Sequence, residues 1–238
     1  MSVRFVILYS VVLVLTTFFF LNITPSGSEL SLYELNLVKL LNQSQTILLV
    51  GYLIFKIDKF YHKTIIVLLI TAYCIIFFSE FTFYLHNNDL MQFMNNFFII
   101  ICRITLAYIF YIEGAKLKDY SATKLLYICI VLVSIIGVIV SVYHKSTHFA
   151  VILMGITTIV LILFLWLCIN RPVSVTNKLI ALASATFIAY GDCVYIYSSY
   201  ITLLSFTFTW NRSLTSIADL MLVWAILEGI PKYKKRLA

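Results

Sequence analysis

Residues 178–199 read KLIALASATFIAYGDCVYIYSS, a mostly apolar run with one lysine at its start and one acid, Asp192, well inside it. About 20 apolar residues are enough for a helix to cross the hydrocarbon core of a bilayer. Ala181, Ala185, Ala189 and Asp192 recur at i, i+4, i+8 and i+11, one narrow face on which a neighbouring helix can pack closely. A charge near the centre of a membrane helix costs roughly 2.5–3.5 kcal/mol on the translocon scale. Asp192 is therefore expected to face protein, to have a partner and to mark a functional site.

The same pattern runs along the whole chain. Apolar segments fall at 3–23, 38–56, 64–86, 91–113, 124–143, 148–169, 178–199 and 211–230. The 238 residues are 62% hydrophobic and 11% charged, with a mean hydropathy of +1.01. Soluble domains run at roughly 45–50% apolar and about 25% charged residues, so a soluble fold is excluded. The composition predicts an all-α, polytopic membrane bundle of eight transmembrane helices. They form a single domain, because no linker is long enough to divide two. Pro25, Pro172 and Pro231 all lie outside the apolar runs, so continuous helices are expected. The run Phe5–Leu21 is too long for a signal h-region and lacks an A-x-A-like cleavage site, so it reads as a retained first span.

Basic residues set the orientation. Arg4, Lys56, Lys59, Lys63, Lys116, Lys118, Lys124, Arg171, Lys178, Lys232, Lys234, Lys235 and Arg236 fall on one side, and only Lys39, Lys145 and Arg212 on the other. The positive-inside rule places both termini in the cytoplasm, as an even number of spans requires. The expected location is a multi-pass integral membrane position, the plasma membrane or, in a bacterium, the inner membrane. The net charge of +7 is accounted for by topology and anionic lipid, without nucleic acid.

Four charged residues lie inside apolar segments: Glu80, Arg103, Asp192 and Asp219. At 1.5 Å per residue, the three acids share a layer about 9–12 Å below the outer ends of spans three, seven and eight. Lys39 stands at the outer mouth of span two, followed by Asn42, Gln43 and Gln45. A polar pocket bounded by spans two, three, four, seven and eight is expected. A plainer arrangement is also open, in which Glu80 pairs with Arg103 across their hairpin and Asp192 and Asp219 are hydrogen-bonded by a tyrosine or serine. The five cysteines fall one per segment without CxxC spacing and read as packing residues. His144 and His148 lack an evident third ligand, so no metal or other cofactor is expected. Most aromatics read as belt or core, with Tyr108 the exception.

At these residues the chain resembles the YhhN family of eight-span membrane proteins, which includes animal lysoplasmalogenases. Lys39-Leu40 stands where that family has Lys-Pro, and Ser79-Glu80 where it has Gly-Asp. Ala107-Tyr108-Ile109-Phe110-Tyr111 stands for its Ala-His-x-x-Tyr without the histidine. Ser184-Ala185 leading to Gly191-Asp192 stands for its Gly-Ala run ending in Ser-Asp, and Ala218-Asp219 for its Ala-Gln. The resemblance covers roughly residues 38–230. It implies hydrolysis of the vinyl ether bond of a lysoplasmalogen, giving a fatty aldehyde and a glycerophospho-base.

A buried carboxyl pair suits that reaction. Protonating a vinyl ether carbon needs an acid still protonated near neutral pH, and carboxyls out of water and near one another hold their protons longer. A second, ionised carboxylate would stabilise the oxocarbenium-like cation, as in glycosidases. The expected catalytic residues are Asp192 and Glu80, with Asp219 in support. Lys39 or Arg103 would hold the lipid phosphate, and Tyr108 would line the site. The partner is then a membrane lipid or lysophospholipid. The alternative is a transporter or a lipid- or small-molecule-binding sensor using the same buried charges without catalysis. Against it stand unbroken helices and the absence of repeats.

Overall fold

Helices dominate the backbone among the described residues. In the computed structural model the backbone is described for residues 1–23, 32–59, 62–83, 89–142, 148–200 and 205–237. Side chains are described for 1–19, 43–58, 62–79, 94, 96–141, 151–194 and 213–229. Among these residues there are eight α-helices and no strand. They are α1 (Val3–Ile23), α2 (Leu32–Lys56), α3 (Lys63–Phe83), α4 (Asp89–Ile112), α5 (Ala122–Val142), α6 (His148–Ile169), α7 (Val175–Tyr200) and α8 (Ser205–Leu237). A single 3₁₀ turn, Ile57–Lys59, follows α2.

Six helices match the apolar segments to within three residues at each end. Two differ. α2 begins at Leu32 rather than at 38, and α8 runs from Ser205 to Leu237 rather than from 211 to 230. Hydropathy detects only apolar residues, whereas leucine, glutamate, lysine and arginine are good helix formers whatever their polarity. LYELNL at 32–37 and KYKKRL at 232–237 therefore extend the helices beyond their apolar stretches. α8 also passes through Pro231, which gives up one backbone donor there.

Two described stretches are long and apolar enough to cross a membrane: Ala122–Ser141, with mean hydropathy 2.6, and Val151–Ile169, with 2.8. Val3–Phe19, Lys63–Ser79 and Asn96–Ile112 form shorter apolar stretches.

Two helical hairpins, α3–α4 and α7–α8, make the closest pairings. α4 packs also on α6, α2 on α3, and α1 on α2 and α8. The core is built from Leu49 and Leu53, Ile66 and Leu69, Leu106, Ile109 and Phe110, Phe164 and Leu165, and Leu222, Val223 and Ile226. Ala181, Ala185 and Ala189 are buried together with Asp192, so the small-residue stripe of residues 178–199 is the packed face of α7. α5 rests on α6 and α7 through Ile128 and Ile135, and leaves Leu126, Ile130, Val133 and Val140 exposed. The outward face of the bundle is thus apolar.

Packing predicts two opposite outcomes. Ala185 is fully buried. Ala185→Leu overfills the α7 face and should lower stability by about 1–3 kcal/mol. An added Cβ at Gly137 meets nothing within 4 Å. Gly137→Ala should raise stability by about 0.5–1 kcal/mol. Thermal unfolding in one detergent compares both with the parent, and an unshifted or raised melting point for Ala185→Leu would contradict the packing.

Candidate functional site

Arg103, in the middle of α4, points across the bundle to Asp192 on α7. Its Nε donates to Asp192 Oδ2 at 2.8 Å and its Nη2 to Oδ1 at 2.8 Å. Nη1 lies 3.6 Å from the Cys102 sulfur. Both charged side chains are buried. A two-point pair of this kind satisfies the guanidinium fork and both carboxylate oxygens at once. Arg103 thus turns to Asp192; the Glu80–Arg103 pair, one of the plainer arrangements open in the sequence, lies outside the described residues.

Asp219 enters the same cluster from α8. The Tyr73 hydroxyl, on α3, lies 3.3 Å from Asp219 Oδ1 and 3.2 Å from the Asp219 carbonyl. Asp219 lies within electrostatic reach of Arg103, Tyr73 and Cys102. Four helices thus supply one polar centre. Other polar contacts flank it: Tyr9 OH donates to the Ser216 carbonyl at 2.8 Å, and the Thr17 and Ser213 hydroxyls lie 2.7 Å apart. Gln45 Nε2 donates to Thr16 Oγ1 at 2.6 Å. Gln43 Nε2 and Gln45 Oε1 are buried without a hydrogen-bond partner. A buried amide left this way costs about 1–3 kcal/mol.

The expected site residues divide as follows. Arg103, Asp192 and Asp219 come together. Glu80 lies in α3 seven residues beyond Tyr73, and Lys39 lies in α2 four residues before Gln43. The side chains of both fall outside the described residues, as do those of His144 and His148. Tyr108 is not brought to the cluster. It is 52% exposed and stacks on Tyr111 at a centroid distance of 6.4 Å, on the outer face of α4.

A second buried ion pair was not anticipated from the sequence. Glu113 and Arg171 are 2% and 0% exposed. Arg171 Nε donates to Glu113 Oε2 at 2.6 Å and Nη2 to Oε1 at 3.1 Å. Nη1 reaches Asn177 Oδ1 at 3.2 Å, and Nη2 reaches the Ala225 carbonyl at 3.3 Å, which also accepts from Asn177 Nδ2 at 2.8 Å. The guanidinium lies 5.0 Å from the centroid of the Phe110 ring, which is stacked on Phe164. Arg171 is therefore no solvent-facing loop charge, although its place between α6 and α7 suggests one.

Local rules aim both partners. α4 ends in a Schellman motif: Gly114 has φ 95°, its amide donates to the Tyr111 carbonyl at 2.9 Å, and that of Ala115 donates to Phe110 at 3.0 Å. Glu113 is the last residue before that turn and is directed inward. Arg171 precedes Pro172, and Ser174 caps α7 by accepting the Asn177 amide at 3.4 Å. The available signal was an acid at the end of one apolar run and an arginine in a short loop assigned to the same membrane side. Their pairing depends on α4 and α6 packing side by side.

Among the described residues no three His, Cys, Asp or Glu side chains come together as metal ligands would. Comparison with protein families, with curated proteins and with solved structures finds no match to the chain.

The second pair predicts a non-additive pair of mutants. Glu113→Leu strands a buried guanidinium and should cost about 3–5 kcal/mol, while Glu113→Leu/Arg171→Met should recover most of it. Gly229→Ala should also destabilise, since its Cβ would lie 2.8 Å from Arg171 Nη2, which is tethered to two acceptors and cannot withdraw. Chemical or thermal unfolding of the three variants checks this; equal losses for the single and double variants would disprove the coupling.

Proposed function

We propose that the chain is an eight-span membrane protein with both termini cytoplasmic, a divergent relative of the YhhN family, and that its polar centre hydrolyses the vinyl ether bond of a lysolipid. One observation carries the reading. Arg103, Asp192 and Asp219, from three helices of an otherwise apolar bundle, share one cluster with Tyr73. Ionisable groups inside a bilayer are expensive and mark working sites by default.

The geometry redistributes the roles expected from the sequence. Asp192 is committed to Arg103 through both carboxylate oxygens, so it serves as the fixed group beside the cation and not as the proton donor. Arg103 is likewise engaged, which leaves the lipid phosphate to Lys39. The proton donor is Asp219, half-buried and contacted by the neutral Tyr73 hydroxyl. Asp219 delivers its proton to the β carbon of the vinyl ether, forming an oxocarbenium-like cation. Water adds to the cationic carbon and returns a proton to the Asp219 carboxylate. The hemiacetal then collapses to a fatty aldehyde and the free glycerol hydroxyl, with its own hydroxyl proton passing to the leaving oxygen. Glu80, also on α3, would assist, as the sequence leads one to expect. Carbon protonation near neutral pH calls for an acid shielded from water, and Asp219 is half-buried.

A carrier or sensor is the second reading, favoured by the closed Arg103–Asp192 pair. Two charges that neutralise one another without a ligand suit a pair that opens when a ligand competes for one of them.

Purified protein should release aldehyde from a 1-alkenyl lysophospholipid, and Asp219→Asn should abolish the release through kcat, leaving KM and the melting point nearly unchanged. No aldehyde from the parent protein, together with lysolipid-induced stabilisation, would favour the carrier or sensor; undiminished release by Asp219→Asn would refute the proton-donor role. Reporter fusions after residue 238 and in the loop at 87–90 should report opposite sides, with the C-terminus inside; an outside C-terminus would overturn the topology.

A further inference from the structure

Lys124 and Lys178 each stand in the first turn of a long helix, α5 and α7, and neither helix has an acidic residue there. Ser121 and Ser174 cap these ends, accepting the Lys124 amide at 3.3 Å and the Asn177 amide at 3.4 Å. A helix N-terminus carries roughly half a positive charge and favours anions over cations. Two lysines at two such ends add like charge to like charge, and Lys178 is near enough to Lys124 for the ammonium groups to repel. Asp119 answers them from an exposed position. Lys124 Nζ reaches its Oδ2 at 2.7 Å and its carbonyl at 3.3 Å. That hydrogen bond, with the charges of Lys178 and Lys116 behind it, holds the Asp119 carboxyl below its usual range. The ion pairs among the described residues do not include Lys178. Positive charge is left over.

A separate observation indicates what would balance it. Asn170, at the end of α6, is buried; its Oδ1 accepts from Lys124 Nζ at 2.6 Å, and its Nδ2 has no partner. Unpartnered buried donors are exceptional in folded proteins. Beside the Lys124 ammonium, itself within electrostatic reach of Lys178, the acceptor that fits is an anionic oxygen. Next to this junction the Tyr120 and Trp166 rings pack with centroids 5.5 Å apart, and Trp166 Nε1 donates to the Leu117 carbonyl at 2.9 Å. Paired amphipathic rings of this kind sit at the level of lipid head groups.

We propose that Lys124, Lys178 and Asn170, at the junction of α5, α6 and α7, bind the phosphate of an anionic phospholipid head group. The proposal rests on the membrane-spanning reading of the bundle and is independent of any hydrolysis. Basic pockets between helices on the cytoplasmic side suit such head groups. The phosphate replaces Asp119 as the partner of Lys124, and the shift of that ammonium brings the Asn170 amide within reach. Asp119 is then a competitor that keeps the site closed when no lipid is present.

The test uses the full chain in phosphatidylcholine nanodiscs containing a minor fraction of phosphatidylglycerol, with retained lipid counted by native mass spectrometry. The parent protein should retain phosphatidylglycerol preferentially. Lys124→Gln/Lys178→Gln should lose about tenfold or more of it without losing phosphatidylcholine. Asp119→Asn should retain more than the parent, and Lys178→Arg about as much, which separates loss of charge from loss of fold. Undiminished retention in the double variant, or no gain in Asp119→Asn, would overturn the proposal. Displacement of the lipid by millimolar inorganic phosphate would also overturn it, in favour of a soluble anion. Protein that enters nanodiscs but shows no lipid preference defeats this site alone, whereas protein that stays soluble without lipid or detergent defeats the membrane-spanning reading itself.

Discussion

A guanidinium withdrawn from water must find all of its hydrogen-bond acceptors inside the protein, and this chain meets that demand twice. Arg103 takes both oxygens of Asp192, and Arg171 takes both oxygens of Glu113. α4 contributes to each pair, the base to one and the acid to the other. About ten residues, or roughly 15 Å of helix, separate the two contributions. α4 is in this sense the spine of the bundle: it pairs with α3 in a hairpin, packs on α6 and is bridged electrostatically to α7 at one level and to the α6–α7 connection at another. Deleting one member of a buried pair strands the other, which is far more damaging than losing both. Any rearrangement of these helices must therefore move the charges as pairs.

The two centres differ in how completely they are closed. Around Arg171 the donors meet Glu113, Asn177 and the Ala225 carbonyl, an aromatic face covers the guanidinium, and Gly229 leaves no room for even a methyl group. Every polar demand there is met, and the cluster acts as a clasp between helix ends. Around Arg103 the arrangement is looser. Asp219 is half-buried and held by a hydroxyl. Chemistry needs groups that can still change partners, which is why the proposed activity belongs to the Arg103 centre and not to the Arg171 centre.

The fold was legible because apolar run length and helical backbone satisfaction are both local properties. Where they were the governing factor, as at α1 and α3 to α7, boundaries were placed within three residues. The extensions of α2 and α8 were missed because polar residues continue a helix without raising its hydropathy. The polar centre was legible in part for a related reason. A lone charge within an apolar run stands out, so Arg103, Asp192 and Asp219 could be singled out, and the alanine spacing of α7 identified the face on which Asp192 lies. Glu113 and Arg171 did not stand out, because a charge at the end of a run resembles an ordinary loop charge.

By itself, then, the sequence determined which segments are helical, which face of α7 is packed and which charges lie among apolar neighbours. These follow from residue type and spacing along one chain. Partner choice did not follow. That Arg103 takes Asp192, that Tyr73 meets Asp219, that Tyr108 turns outward and that Arg171 is sealed within the bundle were decided by tertiary structure. Each depends on the rotation of one helix about its axis relative to another a long way off in the chain. A rotation of a few tens of degrees exchanges one buried partner for another while leaving every local pattern unchanged.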